Sequence, residues 1–195
     1  MNNLTLHAPR YVLGDLILTR LSPYARSVLL VLGGAALIGL SARIVVPVPG
    51  SPVPVTGQTL AVLLIAAALG PWRGPAACLT YLLAGLAGVP WFAAPKAVTF
   101  GYLLGMLLAA VVVGELARRG HVRTWWRVVP VMILGHLLIY TAGVPWMAIS
   151  LDLDAATAVR TGILPFLAGD ALKVLIAAGV LSLRPRSVRW TPDHR

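Results

Sequence analysis

Apolar runs of membrane-spanning length recur along this chain, and no water-soluble fold can hide several of them. Residues 27–46 are interrupted only by Arg43, and residues 99–116, 128–147 and 163–183 are nearly as free of charge. Each is close to the ~20 apolar residues that a helix needs to cross a bilayer. Only 11% of the chain is charged, against about 25% in a soluble domain. Most of the surface must therefore face lipid, and the backbone inside lipid must satisfy itself as helix. A basic start, an apolar run and the small Ser41 and Ala42 also fit a cleaved signal peptide, but the run is long enough to span and further spans follow it.

Six spans are expected, with no linker between them that would divide the domain. The first covers residues 27–46 and carries Ala35 and Gly39, a small-xxx-small pair that permits close approach of another helix. PVPGSPVPVTG (residues 47–57) then alternates proline with other residues, which is too stiff and too poor in N–H donors for helix. It predicts an extended crossover near the surface, either a rigid connector or a lid over a site. A short second span follows at 57–69, with Gln58 and Thr59 near its outer end, and GPWRG (70–74) is a tight turn into span three, 75–92. Span four, 99–116, contains the Gly101/Gly105 pair; span five is 128–147; span six is 163–183, with Pro165 suited to its first turn. AGVPW occurs twice, at 87–91 and 142–146, and reads as one helix stop used twice.

Arginine placement sets the expected orientation. With both termini inside, the inner segments hold Arg10, Arg20, Arg26, Arg73, Arg118, Arg119, Arg123, Arg127, Arg184, Arg186, Arg189 and Arg195, twelve of the sixteen basic residues. Arg43, Lys96, Arg160 and Lys173 remain for the outer half. The positive-inside rule then predicts an N-in, C-in bundle: a cytoplasmic segment 1–26, a six-helix membrane domain 27–183 and a basic cytoplasmic tail 184–195. The net charge of +10 is read as topology and not as a nucleic-acid surface.

The chemistry concentrates in LPFLAGDALK, residues 164–173. Between 163 and 183 Asp170 and Lys173 are the sole ionisable groups, and a charge at mid-bilayer costs roughly 2.5–3.5 kcal/mol on insertion scales. Three positions apart, they share a helix face. They are either an internal ion pair that fixes the last helix or a donor and acceptor offered to a polar solute. Gln58, Thr59, Lys96 and the aromatics Trp91, Phe92, Tyr102 and Trp146 fall on the same outer side, so the whole set reads as a pocket: apolar walls with a few orienting polar groups. His136 is either a ligand of that pocket or a histidine satisfied inside the bundle. Catalysis is not indicated, because no nucleophile has an evident base and no phosphate loop or Walker motif is present. The single Cys78 and the scattered His7, His121, His136 and His194 give no metal-ligand spacing, and no cofactor is expected.

The ordered motifs RIVVPVPGSPVPVTGQTLAVLL, LGPWRG, YLLAGLAGVPWFA, FGYLLG, IYTAGVPWMA and LPFLAGDALK resemble BioY, the biotin-specific membrane subunit of energy-coupling factor transporters, over about residues 26–183. The resemblance implies a six-helix substrate-capture component in a bacterial cytoplasmic (inner) membrane. Its implied partners are biotin, a transmembrane coupling protein and two cytoplasmic ATPases. It also implies that Asp170 and Lys173 are the polar pair of the pocket, Tyr102 the tyrosine opening helix four, and Trp91 and Phe92 an apolar wall. Lys96 or Lys173 would meet the ligand's carboxylate, and Ala35 and Gly39 would pack against the coupling protein. Two features depart from the family pattern. AAPKAVTFGY (93–102) is shorter than the usual loop ending GPTGGY, and His136 stands where asparagine is common. A related carrier for another small carboxylate or vitamin, a carrier without ATPases, and a membrane scaffold are the alternative readings.

Overall fold

The computed structural model describes residues 20–91 and 96–183, the side chain of Lys96 excepted. The expected segment 1–26 therefore lies largely outside the described residues, and the tail 184–195 wholly so. The elements are α1 (Pro23–Ser41), β1 (Val45–Val46), β2 (Val55–Thr56), α2 (Gln58–Leu86), α3 (Lys96–Arg118), α4 (Trp125–Ser150), α5 (Ala155–Gly162) and α6 (Leu167–Ser182). Among the described residues, five helical segments are long and apolar enough to cross a membrane, with α5 and α6 counted as one, Ala155–Ser182. The chain is thus an all-helical, multi-pass membrane protein.

As a straight rod, the 29 residues of α2 would reach about 44 Å. They do not form one. Gln58 hydrogen-bonds Tyr81, 23 residues on, and a Cβ on Gly74 would lie 2.7 Å from Ala66 Cα. The chain reverses at Gly70, whose φ of 81° and ψ of −171° belong to a region essentially restricted to glycine. Pro71 restarts the helix where its missing N–H is harmless. The expected tight turn and antiparallel pair are therefore present, as two arms, 58–69 and 71–86. The arms carry α1 on one side, where a Cβ on Gly34 would meet Ala77 at 2.9 Å and Ile65 at 3.2 Å.

Gly101 and Gly105 act as their spacing suggests, letting α3 lie on α4. Added Cβ atoms would fall 2.6 Å from the carbonyl oxygens of Ala142 and Ile139 respectively. Two expectations are corrected. The first AGVPW does end α2, with Gly88 at φ 106°, but the second lies inside α4, which continues to Ser150. There Gly143 is a contact and not a stop: the Tyr102 ring sits 2.4 Å from where its Cβ would be. Ala35 and Gly39, expected at a coupling-protein contact, are instead buried in the chain's own bundle. A Cβ on Gly39 would strike the Trp91 indole at 2.2 Å.

The proline-rich crossover folds back on itself. Val45 pairs with Thr56 and Val46 with Val55, antiparallel, around a turn at Gly50 with φ 78°. Arg43 donates to the Pro90 carbonyl and ties this hairpin to the end of α2. Before α6 stands a helix that the apolar pattern missed, α5, capped by Asp154, which accepts from the N–H groups of Ala156 (2.9 Å) and Thr157 (3.0 Å). The Thr157 hydroxyl, then its backbone N–H, hold the Asp154 carboxyl below its ordinary range. A single 3-10 turn, Leu164–Phe166, with Pro165 in it, leads into α6.

Gly70→Ala should cost about 1–3 kcal/mol through strain at that φ/ψ, read as a lowered Tm of the detergent-solubilised protein. An unchanged Tm would show that the reversal does not depend on glycine.

Candidate solute-binding site

A cavity of about 60 Å3 lies where α2 and α6 begin; a single water needs roughly 10–15 Å3 on the same measure, so the space suits a solute. Its walls come from regular helical spacing. Thr99, Tyr102, Leu103 and Met106 present one face of α3, His136, Ile139 and Tyr140 one face of α4, and Phe166, Asp170 and Lys173 one face of the last segment. Gln58 and Thr59 come from the start of α2, and the segment Val53–Thr56, which runs into and includes β2, closes one side. The crossover therefore forms a wall of the cavity as well as a connection.

The polar groups form one cluster. Lys173 Nζ donates to Asp170 Oδ1 at 3.0 Å and to Thr59 Oγ1 at 2.9 Å. Tyr140 donates its hydroxyl to Asp170 Oδ2, so cation and phenol grip both carboxylate oxygens. Asp170 and Lys173 are each 8% exposed. One positive and one negative charge cancel, which offsets the cost of placing either in an apolar interior. An ammonium has three N–H donors, so Lys173 keeps one beyond these two bonds. His136, 6% exposed, joins the cluster from α4: its Nδ1 is 2.9 Å from the Met132 carbonyl and its Nε2 is 3.4 Å from Asp170 Oδ1.

Supporting bonds fix these side chains. Gln58 is held between the Thr56 hydroxyl, which donates to its Oε1 at 3.0 Å, and Tyr81. Tyr102 donates to the Gly162 carbonyl at 3.1 Å, tying α3 to the end of α5. The Trp146 indole donates to the Ala97 carbonyl at 2.7 Å and locks α4 to the start of α3.

Of the candidate residues, Asp170, Lys173, Tyr102, Gln58 and His136 all line the cavity. Trp91 does not: its ring packs on Gly39 and Tyr81, and its N–H bonds the Tyr81 carbonyl at 3.1 Å. It is a structural strut between α1 and the second arm of α2. Phe92 lies outside the described residues, and Lys96 is described only by its backbone, one helical turn before Thr99. Tyr140 was not anticipated. Its position four residues after His136 put it on the same helix face, which was the available signal; nothing local tied it to Asp170, thirty residues away.

Comparison with known proteins comes down on one family. The BioY family model matches residues 11–189. The chain is 35% identical over 156 residues to the biotin transporter BioY2 of Lactococcus lactis subsp. cremoris, an alignment covering 77% of this chain and 85% of the relative. It is 36% identical to the biotin transporter BioY of Thermotoga maritima, covering 76% of this chain and 89% of that one. The crystal structure of the S-component for biotin from an ECF-type ABC transporter superposes with a TM-score of 0.73 at 18% identity, covering 83% of this chain and 93% of that chain. That likeness shows the shared fold.

Removing one partner of the ion pair should cost more than removing both. Lys173→Met leaves a buried carboxylate uncompensated, for about 3–5 kcal/mol of destabilisation, whereas Asp170→Leu with Lys173→Met should be close to neutral. Thermal unfolding of the three proteins in detergent reads the difference. Equal losses for single and double variants would mean that the charges are not coupled.

Proposed function

The chain belongs to the BioY family, and we propose that it captures biotin from outside the cytoplasmic membrane of a bacterial cell as the S component of an energy-coupling factor transporter. The observation that carries this reading is the neutral Asp170–Lys173–Tyr140 cluster buried in a cavity that also has apolar walls from Leu103, Met106, Ile139 and Phe166. Biotin's ureido group needs an acceptor and a donor at once. Asp170 supplies the first and the remaining N–H of Lys173 the second. Met106, Ile139 and Phe166 give the bicyclic ring an apolar bed. Lys96, the first residue of α3 and one turn before Thr99 of the cavity wall, is the cation assigned to the valerate carboxylate in this reading.

The two arms of α2, with α1, α3, α4 and the Ala155–Ser182 segment, make six crossings with both termini inside. Support comes from the charge at the end of the bundle where α2 reverses. Arg73 bonds Ser27 at 3.1 Å there, and a Cβ on Gly114 would lie 2.8 Å from the Gly70 carbonyl. Arg26, Arg118, Arg119, Arg123 and Arg127 belong to the same end, and positive charge marks the cytoplasmic side. The residues that line the cavity lie toward the opposite end, which in this reading is the outer side. Binding is the chain's task in this reading, and a transmembrane coupling protein with cytoplasmic ATPases supplies the energy. With Ala35 and Gly39 packed internally, the coupling protein would meet the outward face of α1, where Leu29, Leu32, Leu37 and Leu40 are exposed.

Equilibrium binding of labelled biotin to the purified protein tests the reading. Asp170→Ala and Lys173→Ala, each checked for folding by its unfolding transition, should bind about tenfold to a hundredfold more weakly, the worth of a charge-assisted hydrogen bond. Undiminished affinity in both variants would remove the cluster from the site. A folded, unmodified chain that binds no biotin would leave the fold and transfer the pocket to another small solute.

A further inference from the structure

The cluster contains one polar atom with no partner. His136 is more than nine-tenths buried, and its Nδ1 is committed to the Met132 carbonyl at 2.9 Å. A carbonyl only accepts, so Nδ1 carries the proton. Nε2 is buried without a hydrogen bond. It is held 3.4 Å from Asp170 Oδ1, an oxygen already bonded by Lys173 Nζ, while the other carboxylate oxygen takes the Tyr140 hydroxyl. With Asp170 and Lys173 cancelling each other, an uncharged imidazole keeps the cluster neutral. Its Nε2 lone pair is then an acceptor facing a second acceptor, in a cavity that both line. A buried acceptor left in this way costs free energy until a donor arrives.

From this we propose that His136 is a specificity-determining residue: its Nε2 accepts a hydrogen bond from an N–H of the bound solute, beside Asp170. The inference rests on the biotin reading, in which the N–H belongs to the ureido ring. It makes the pocket selective for solutes that bring a donor to this corner. A solute of the same shape without that N–H leaves Nε2 and Asp170 facing each other unbridged. Sites built to hydrogen-bond a solute group discriminate strongly against analogues that lack it.

The test compares biotin with its two mono-N-methyl ureido derivatives on the unmodified protein and on His136→Phe and His136→Gln. In the unmodified protein, one methyl isomer should bind at least tenfold more weakly than biotin. In His136→Phe, which keeps the volume without the acceptor, biotin should itself weaken about tenfold and the penalty for that isomer should shrink toward one. In His136→Gln, whose side-chain oxygen can reach the place of Nε2, the penalty should return. The coupling between residue and methyl group is a readout that mere packing would not move. If the penalty is the same with His, Phe and Gln, or if the unmodified protein binds biotin and both isomers equally, the proposal is overturned while the biotin reading stands. The second of these outcomes needs no variant to fold. If the unmodified protein is folded and binds no biotin, the biotin reading fails and the proposal falls with it.

Discussion

The pairing of Lys173 with Asp170 is the constraint on which the rest of the structure depends. Two opposite charges in an apolar interior are tolerable only if each is held by hydrogen bonds as well as by the other. The chain supplies those bonds from three elements: Thr59 at the start of α2, Tyr140 in the middle of α4, and the pair itself in the first turns of α6. Segments far apart in sequence must therefore converge at one place. The cluster is satisfied only when α2, α4 and α6 are all seated, which makes it a check on assembly as well as a site.

What allows the convergence is close backbone approach at glycines. Gly101 and Gly105 let α3 press on α4, and Gly143 receives the Tyr102 ring. That ring's hydroxyl then reaches the end of α5 and sets where α6 begins. At the other end, the reversal at Gly70 packs against Gly114 of α3. Close glycine contacts thus brace the bundle at both ends, and the buried polar groups gather at the end with the cavity. A capture site benefits from that bracing, since binding groups held in place beforehand lose little freedom when the solute arrives.

Much of this was legible from residue patterns. Long apolar runs gave the helices, Gly-Pro at 70–71 gave the reversal, and two ionisable groups alone in residues 163–183 pointed to the polar cluster that lines the cavity. Spacing fails where a motif's meaning depends on its neighbours. The two AGVPW copies are identical in sequence, yet one ends a helix and the other continues through Pro145, because Gly143 there meets Tyr102 across the interface. Ala35 and Gly39 were correctly read as a close-contact pair, but periodicity cannot say with whom, and the contact proved to be Trp91 and the chain's own helices. The amphipathic α5 is too short and too polar to register as an apolar run. The link from Tyr140 and His136 to Asp170 is a tertiary contact between α4 and α6, and no local pattern encodes it.

The central claim is that a neutral, buried hydrogen-bonding cluster is the seat of the solute. A structure of this protein determined with biotin bound tests it most directly. The account predicts the ureido ring inside the cavity, with its polar atoms about 3 Å from the Asp170 carboxylate and Lys173 Nζ, a normal hydrogen-bond distance. Biotin bound elsewhere, with the Lys173, Asp170, Tyr140 and Thr59 bonds unchanged and no solute atom within reach of them, would reduce the cluster to an internal brace and contradict it.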